Sequence, residues 1–242
     1  MKRLDTALFE KSIARSRTSA KQIIEKGHVS VNHKIILKPS FLVDMESDLI
    51  QSDYKEKYVS RGAYKLLQAF AEFQIDVKNM IILDAGASTG GFTQVLLEKD
   101  ASKVYAVDVG SNQLDPLIKS DKRVICLENT DIRDISNHLL ENSIDFATCD
   151  LSFISIIKTA SSIYQVMKKN AKAVFLIKPQ FEAGKIGIGK KGIVKDESTR
   201  NLCVQNIKNN LVSTGFNILG LTECSTKGGS GNTEYLIYIE KA

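Results

Sequence analysis

Residues 81–92, Ile81-Ile82-Leu83-Asp84-Ala85-Gly86-Ala87-Ser88-Thr89-Gly90-Gly91-Phe92, constrain the fold more tightly than any other stretch of this chain. An apolar run stops at a carboxylate, passes through small residues, and enters an amphipathic segment carrying Phe92, Val95, Leu96 and Leu97. That pattern predicts strand, tight loop and helix, the opening unit of a doubly wound α/β domain. Gly86, Gly90 and Gly91 allow close approach of a ligand to the backbone, and the helix start offers unpaired N–H donors. The loop departs from the dinucleotide pattern G-x-G-x-x-G because Ser88 stands at its second Gly. With Asp84 at its root, the loop suits a cationic, hydroxyl-rich ligand better than a pyrophosphate. S-adenosylmethionine, with a sulfonium, an ammonium and a ribose, fits that description. Asp84, Gly86, Ser88, Thr89, Gly90, Gly91 and Phe92 are therefore the expected cofactor loop. The competing reading is a turn whose glycines serve only chain reversal.

From residue 80 onward the hydrophobic pattern predicts strands at 80–84, 103–108, 123–127, 145–150, 172–178, 216–223 and 234–240. Helical segments fall between most of them, notably 153–168 and 197–214. Only a Gly-rich turn (Lys227 to Asn232) joins the last two strands, so they should pair antiparallel. A seven-stranded, mainly parallel sheet with a reversed last strand is the Rossmann-like class I methyltransferase arrangement.

Ligands of such sheets bind beyond the carboxyl ends of the parallel strands. Asp84, Asp108, Asp150 and Lys178 each end an expected strand, Asp131 follows one, and Glu234 begins the reversed strand at the same rim. Each alone is an ordinary solvated terminus; together they outline a site. Asp108 suits the ribose hydroxyls of a cofactor, and Asp131 its adenine amino group. Upstream, Ser60 is the expected N-cap of a helix with Ala63, Leu66, Leu67, Phe70 and Phe73 on its apolar face and Lys65 projecting away. Convergence of Lys65, Asp150, Lys178 and Glu234 would place two cations and two anions around one point. Such a set can fix an alcohol in line with a methyl donor and accept its proton. The sequence Asp150-Leu151-Ser152-Phe153 lacks the pattern expected for base N-methylation, and Cys149 should point into the sheet rather than serve as a nucleophile.

Of 242 residues, the first 43 contain nine Lys or Arg against three Asp or Glu, a net of +6, while the rest of the chain sums to −1 within the overall +5. Leu4 and Leu8 share a helical face, and Ser16 or Thr18 caps a second helix carrying Ile23 and Ile24, closed by Gly27. Residues 28–35 alternate like a hairpin. Such a basic module suits a polyanion, most simply nucleic acid, through Arg3, Arg15, Arg17 and Lys21, joined by Arg61 downstream. The expected division is 1–45 for this α+β RNA-binding domain, 46–59 for an exposed polar linker, and 60–242 for the methyltransferase domain. Residues 181–192 contain G-x-x-x-x-G-K, but Lys191 replaces the Ser or Thr of a P-loop. They read as a basic loop over RNA phosphates or as a plain surface loop.

No run approaches the roughly 20 apolar residues that span a bilayer, and the start lacks a signal-peptide core. Cys126, Cys149, Cys203 and Cys224 are scattered without metal-ligand spacing, as expected of free thiols in a reducing cytoplasm. No metal is expected, and the oligomeric state, monomer or weak dimer, is left open.

Two resemblances sharpen this reading. R-L-D-x-x-L…S-R-x-x-A-x-x-I-I-x-x-G-x-V-x-V-N…K-P over residues 2–45 resembles the αL RNA-binding motif of a ribosomal small-subunit protein and many pseudouridine synthases, with His33 where Gly is usual. Tyr58-Val59-Ser60-Arg61-Gly62-Ala63-x-Lys65-Leu66, D-x-G-x-S-T-G-G-F, A-V-D-V-G, D-x-S-F-I-S, I-K-P-Q-F-E and G-N-x-E-Y resemble the hemolysin A (TlyA) family. The resemblance implies an S-adenosylmethionine-dependent, FtsJ-like ribose 2′-O-methyltransferase acting on cytidines of ribosomal RNA or a ribosomal subunit. It places the family's Lys-Asp-Lys-Glu tetrad on Lys65, Asp150, Lys178 and Glu234. Lys55-Glu56-Lys57 departs from the family's Arg and Trp or Pro. A start directly at the αL motif resembles the shorter members, associated with large-subunit rRNA, with small-subunit rRNA as a further target. The alternatives are a membrane-active cytolysin, suggested by the family's name, and a non-catalytic ribosome assembly factor.

Overall fold

The computed structural model describes residues 1–14, 16–54, 57–184, 189 and 192–242. The chain forms two compact units, Met1–Val59 and Ser60–Ala242.

In the first unit, β1 (Lys2–Arg3) pairs antiparallel with β4 (Leu42–Val43). Helices α1 (Leu4–Glu10) and α2 (Arg17–Glu25) pack together, and Ser16 caps α2 by accepting from the Ser19 amide at 3.1 Å. Strand β2 (Val29–Val31) pairs with β3 (Lys34–Ile35) and β5 (Ile50–Ser52). Leu4, Leu8, Ile23, Ile24, Val29, Val31, Val43 and Ile50 form the core. Asn32 and His33 both have positive φ (49° and 65°), the left-handed turn that matches hairpin twist. His33 thus adopts a conformation that a Gly would hold more easily.

The expected linker needs correction. Ile50 is buried in that core, and β5 hydrogen-bonds along β2. Asn32 accepts from the Leu49 amide (2.9 Å) and donates to Asp48 (2.8 Å), tying down the stretch before β5. Polar composition suggested an exposed connection because the partner strand lies far away in sequence. Lys55 and Glu56 lie outside the described residues.

The second unit holds a seven-stranded sheet: β6 (Ile81–Ala85), β7 (Lys103–Val107), β8 (Val124–Leu127), β9 (Ile144–Cys149), β10 (Met167–Ile177), β11 (Phe216–Glu223) and β12 (Tyr235–Lys241). Their spatial order is β8-β7-β6-β9-β10-β12-β11, with β12 antiparallel to both neighbours and the other pairs parallel. This is the mainly parallel class I methyltransferase sheet, and its reversed last strand is what the pattern predicts. Helices α3 (Gly62–Phe73), α4 (Gly91–Glu98), α5 (Pro116–Lys119), α6 (Ala160–Val166), α7 (Pro179–Glu182) and α8 (Glu197–Thr214) complete the unit.

Strand alternation assigns the faces. Phe146 meets Phe70 of α3, and Tyr238 stacks on Phe73 at 5.2 Å. Their neighbours Ala147, Cys149, Ile237 and Ile239 instead join Ile163, Ile207 and Leu211 of α6 and α8 in the main core. The helix expected at 153–168 is divided: a 3-10 turn (Ile156–Lys158) precedes α6, and residue 167 already belongs to β10. The α3 N-cap is Arg61 rather than Ser60, and no side chain caps that helix.

Candidate functional site

Strand register brings the site together. Ala85 lies opposite Cys149, Cys149 opposite Phe175, and Ile177 opposite Tyr235. The residues just beyond these pairs, Gly86, Asp150, Lys178 and Glu234, therefore meet at one rim. Gly86 has φ +84°, and a Cβ there would lie 2.5 Å from the Asp150 carbonyl oxygen, so this crossing demands glycine.

The four residues of the expected tetrad converge as two ion pairs. Lys178 Nζ lies 2.6 Å from Asp150 Oδ1 and donates to Ser152 Oγ at 2.9 Å. Lys65 Nζ donates to Glu234 Oε2, while Gln180 donates to Glu234 Oε1 at 3.1 Å. Lys65 does not project away from the apolar face of α3; it is 8 % exposed. It lies two residues from Ala63 and one from Leu66, both fully buried, and burial is sustained because Glu234 neutralises it.

Two chambers open from this rim. The larger, about 530 Å³, is lined by Asp108, Asp131, Asp150, Val109, Ile132, Leu151 and Phe153, among other residues, and among the described residues no Lys or Arg lines it. The smaller, about 280 Å³, carries Arg61, Lys65, Lys178 and Lys227 beside Asp150. Gly86, Ser88, Asp150 and Ser152 border both. An acidic, partly apolar cavity of that size suits a cationic nucleoside and repels a pyrophosphate. The basic chamber suits an anionic acceptor.

The loop expected to hold the cofactor is braced from below. The Gly86 and Ala87 amides donate to the Val107 carbonyl (2.9 and 3.0 Å), and the Ser88 amide donates to Asp108 Oδ2 (2.8 Å). Gly110 N donates to the other Asp108 oxygen at 2.7 Å, which fixes that carboxylate at the wall. Ser88, Thr89, Gly91 and Phe92 line the small chamber.

Two loop residues have other tasks. Asp84 lies within β6, is fully buried on the α4 face, and accepts from Thr93 (2.6 Å) and Thr148 (2.8 Å). It lines neither chamber, so it fixes the loop from beneath. Burial, with some repulsion from Asp150, pushes its carboxyl up to about 6 despite those hydrogen bonds. Gly90 caps α4 at φ +93° and packs toward Leu114 and Ile118 rather than the cleft. Asp131 lines the large chamber but is held by Arg133 at 2.5 Å and caps a 3-10 turn, which keeps it below the usual carboxylate range.

Cys149 is fully buried and burial pushes its thiol up, which leaves no thiolate for nucleophilic work. The sequence reading missed Ser152, Gln180 and Phe153. Phe153 is 91 % exposed at φ +64°, tilts against Phe181, and gives the large chamber a flat apolar wall. An aromatic four residues beyond the end of β9, where it cannot enter the core, was the available signal.

In the first unit, Arg3 and Arg17 flank Asp5 at 2.7 and 3.9 Å, and Lys21 lies 3.7 Å from Glu25; all three cations stay substantially exposed. Arg15 lies outside the described residues, as does most of the basic stretch 185–191. Among the described residues, no helix is long and apolar enough to cross a membrane.

The chain resembles known proteins along nearly its whole length. Residues 58–241 match the FtsJ-like methyltransferase family, and residues 2–50 match the S4 domain. The chain is 40 % identical to hemolysin A of Brachyspira hyodysenteriae, over 98 % of this chain and 99 % of that protein. It is 37 % identical to the 16S/23S rRNA (cytidine-2′-O)-methyltransferase TlyA of Mycobacterium tuberculosis, over 98 % of this chain and 89 % of the relative. With the 23S rRNA (cytidine-2′-O)-methyltransferase TlyA of Campylobacter jejuni it shares 35 % identity, over 93 % and 94 %.

Proposed function

The chain belongs to the FtsJ-like methyltransferase family, and from that premise we propose that it transfers a methyl group from S-adenosylmethionine to the 2′-hydroxyl of a cytidine in ribosomal RNA. The observation that carries the reading is the pairing of an acidic chamber with a basic one across Gly86 and Asp150. Large-subunit rRNA is the proposed target, because 23S rRNA appears in the names of both TlyA relatives. Small-subunit rRNA is a second. The work belongs where ribosomes are, in the cytoplasm.

Asp108 would hold the ribose of the cofactor, Asp131 would face its adenine end, and the loop from Gly86 to Phe92 would flank the methionyl part. When bound, S-adenosylmethionine supplies a methyl group activated by its sulfonium. The residues of the chain do the rest. Lys65, fixed by Glu234, orients the acceptor hydroxyl. Lys178, held against Asp150, is the proposed acceptor of the hydroxyl proton, which the Lys178–Asp150 pair then carries away. Ser152 fixes Lys178 from the side, and Gln180 fixes Glu234. Residues 1–59 supply RNA affinity through Arg3, Arg17 and Lys21, and Arg61 adds charge at the catalytic mouth. The intact acidic chamber speaks against a non-catalytic assembly factor, and among the described residues no helix is long and apolar enough to cross a membrane in the manner of a membrane-spanning cytolysin.

The test is mass mapping of rRNA from cells with and without this protein, joined to methyl transfer in vitro from labelled cofactor. A cytidine that loses 2′-O-methylation without the protein and regains it in vitro is expected. Identical maps and no transfer would sink the proposal.

A further inference from the structure

The small chamber holds more positive charge than a neutral hydroxyl needs. Lys65 and Lys178 are each matched by a carboxylate, Glu234 and Asp150. Arg61 and Lys227 line the same chamber and are not matched in that way. Among the described residues, the Arg61 guanidinium has no carboxylate partner, and Lys227 meets Glu223 only at 3.1 Å with both side chains 53 % exposed. An ion pair so open to water holds a lysine weakly.

The two surplus cations also sit on the acceptor side. The Gly228-Gly229 segment passes between Glu234 and Arg61: a Cβ on Gly228 would lie 2.3 Å from Glu234 Oε1, and one on Gly229 would lie 3.8 Å from Arg61 Nη2. Lys227 immediately precedes this pair, and its ammonium donates to Thr233 Oγ1 at 2.8 Å, next to Glu234. Bare glycine backbone between the orienting carboxylate and the surplus cations leaves room for a nucleic-acid backbone to come close.

In a ribonucleotide, the 2′-oxygen and the 3′-phosphate are carried on adjacent ring carbons. A hydroxyl seated at the tetrad therefore brings its own 3′-phosphate nearer than any other anion. Resting on the function proposed above, we propose that Arg61 and Lys227 form a clamp for the phosphate 3′ to the methylated nucleotide. Arg61 can grip two phosphate oxygens with its fork, and Lys227 contributes a point charge. The clamp makes the enzyme specific for an internal nucleotide and converts phosphate binding into alignment of the neighbouring 2′-oxygen. Lys227 and Arg61 are positioning residues in this scheme.

The experiment uses rRNA assembled from two fragments that meet just 3′ of the mapped target, the upstream piece ending in either a 3′-hydroxyl or a 3′-phosphate. With the wild-type protein, the 3′-phosphate substrate should be methylated at least tenfold faster, in kcat/KM, than the 3′-hydroxyl one. Arg61→Gln and Lys227→Gln should lose most of that preference, Arg61→Lys should keep part of it, and calorimetry should find S-adenosylmethionine affinity unchanged in all three. A wild-type protein indifferent to the phosphate, or variants that slow both substrates equally, would overturn the clamp while leaving the methyltransferase reading intact. Failure of wild-type protein to methylate even continuous rRNA would overturn both.

Discussion

Asp84 shows how a single buried group couples the glycine loop to pH. The native state binds its proton more tightly than the unfolded chain does, since its carboxyl is raised to about 6. Its stabilising contribution is therefore complete below about pH 4 and is lost as pH rises through about 6, on the order of 3 kcal/mol. Asp84→Asn keeps the shape, removes the titration, and still lets Thr93 and Thr148 pair with the side chain. Its melting temperature relative to wild type should accordingly stand higher at pH 7 than at pH 4; parallel melting curves would contradict this. Lys178 is by contrast the proposed base. Lys178→Ala should lower methyl transfer by about a hundredfold or more, the scale of a lost general base, with cofactor affinity in calorimetry nearly intact. Unchanged turnover would remove Lys178 from the mechanism. The roles of these two residues were unequally legible. A Lys that ends an apolar run before Pro179 announces a desolvated cation, whereas Asp84 looks like a rim carboxylate until Thr148, 64 residues away, is placed beside it.

At the scale of elements, the alternation of apolar runs located all seven strands of the second unit to within a few residues, except that β10 begins earlier, at Met167. Helix α8 (Glu197–Thr214) matches its expected bounds, closed by Gly215 at φ +109°. The misread helix at 153–168 has a local cause. Glu182 accepts from Ser155 Oγ (2.5 Å) and the Ile156 amide (3.0 Å), which pins the segment's start into a 3-10 turn that no periodicity announces. Burial raises the Glu182 carboxyl in turn. The loop before β12 offers the sharpest test at this scale. Gly228→Ala would force the Glu234 carboxylate off Lys65, because the new methyl falls 2.3 Å from Oε1. Turnover should drop by about tenfold or more, the cost of misplacing a substrate-orienting group, while cofactor affinity holds. A fully active variant would mean that Glu234 does not orient the acceptor.

For the whole molecule, the concentration of charge in the first unit makes a thermodynamic prediction. If Arg17 and Lys21 meet phosphates, Arg17→Gln and Lys21→Gln should each weaken rRNA binding and shallow the salt dependence of the binding constant by about one unit of slope, without changing cofactor affinity. An unaltered slope would place the RNA surface elsewhere. By itself the sequence determined the order of the elements, the basic first module, the glycine loop and the rim that holds the tetrad, because hydrophobic period, turn chemistry and strand-end charge are local properties of a chain. Only the tertiary structure decided that Lys65 is buried against Glu234, 169 residues away, that Asp84 braces the loop from below, and that acidic and basic chambers meet at Asp150. Those facts depend on which strands become neighbours and in what register, and pairing between distant segments is set by the packing of the whole sheet rather than by any short stretch of residues.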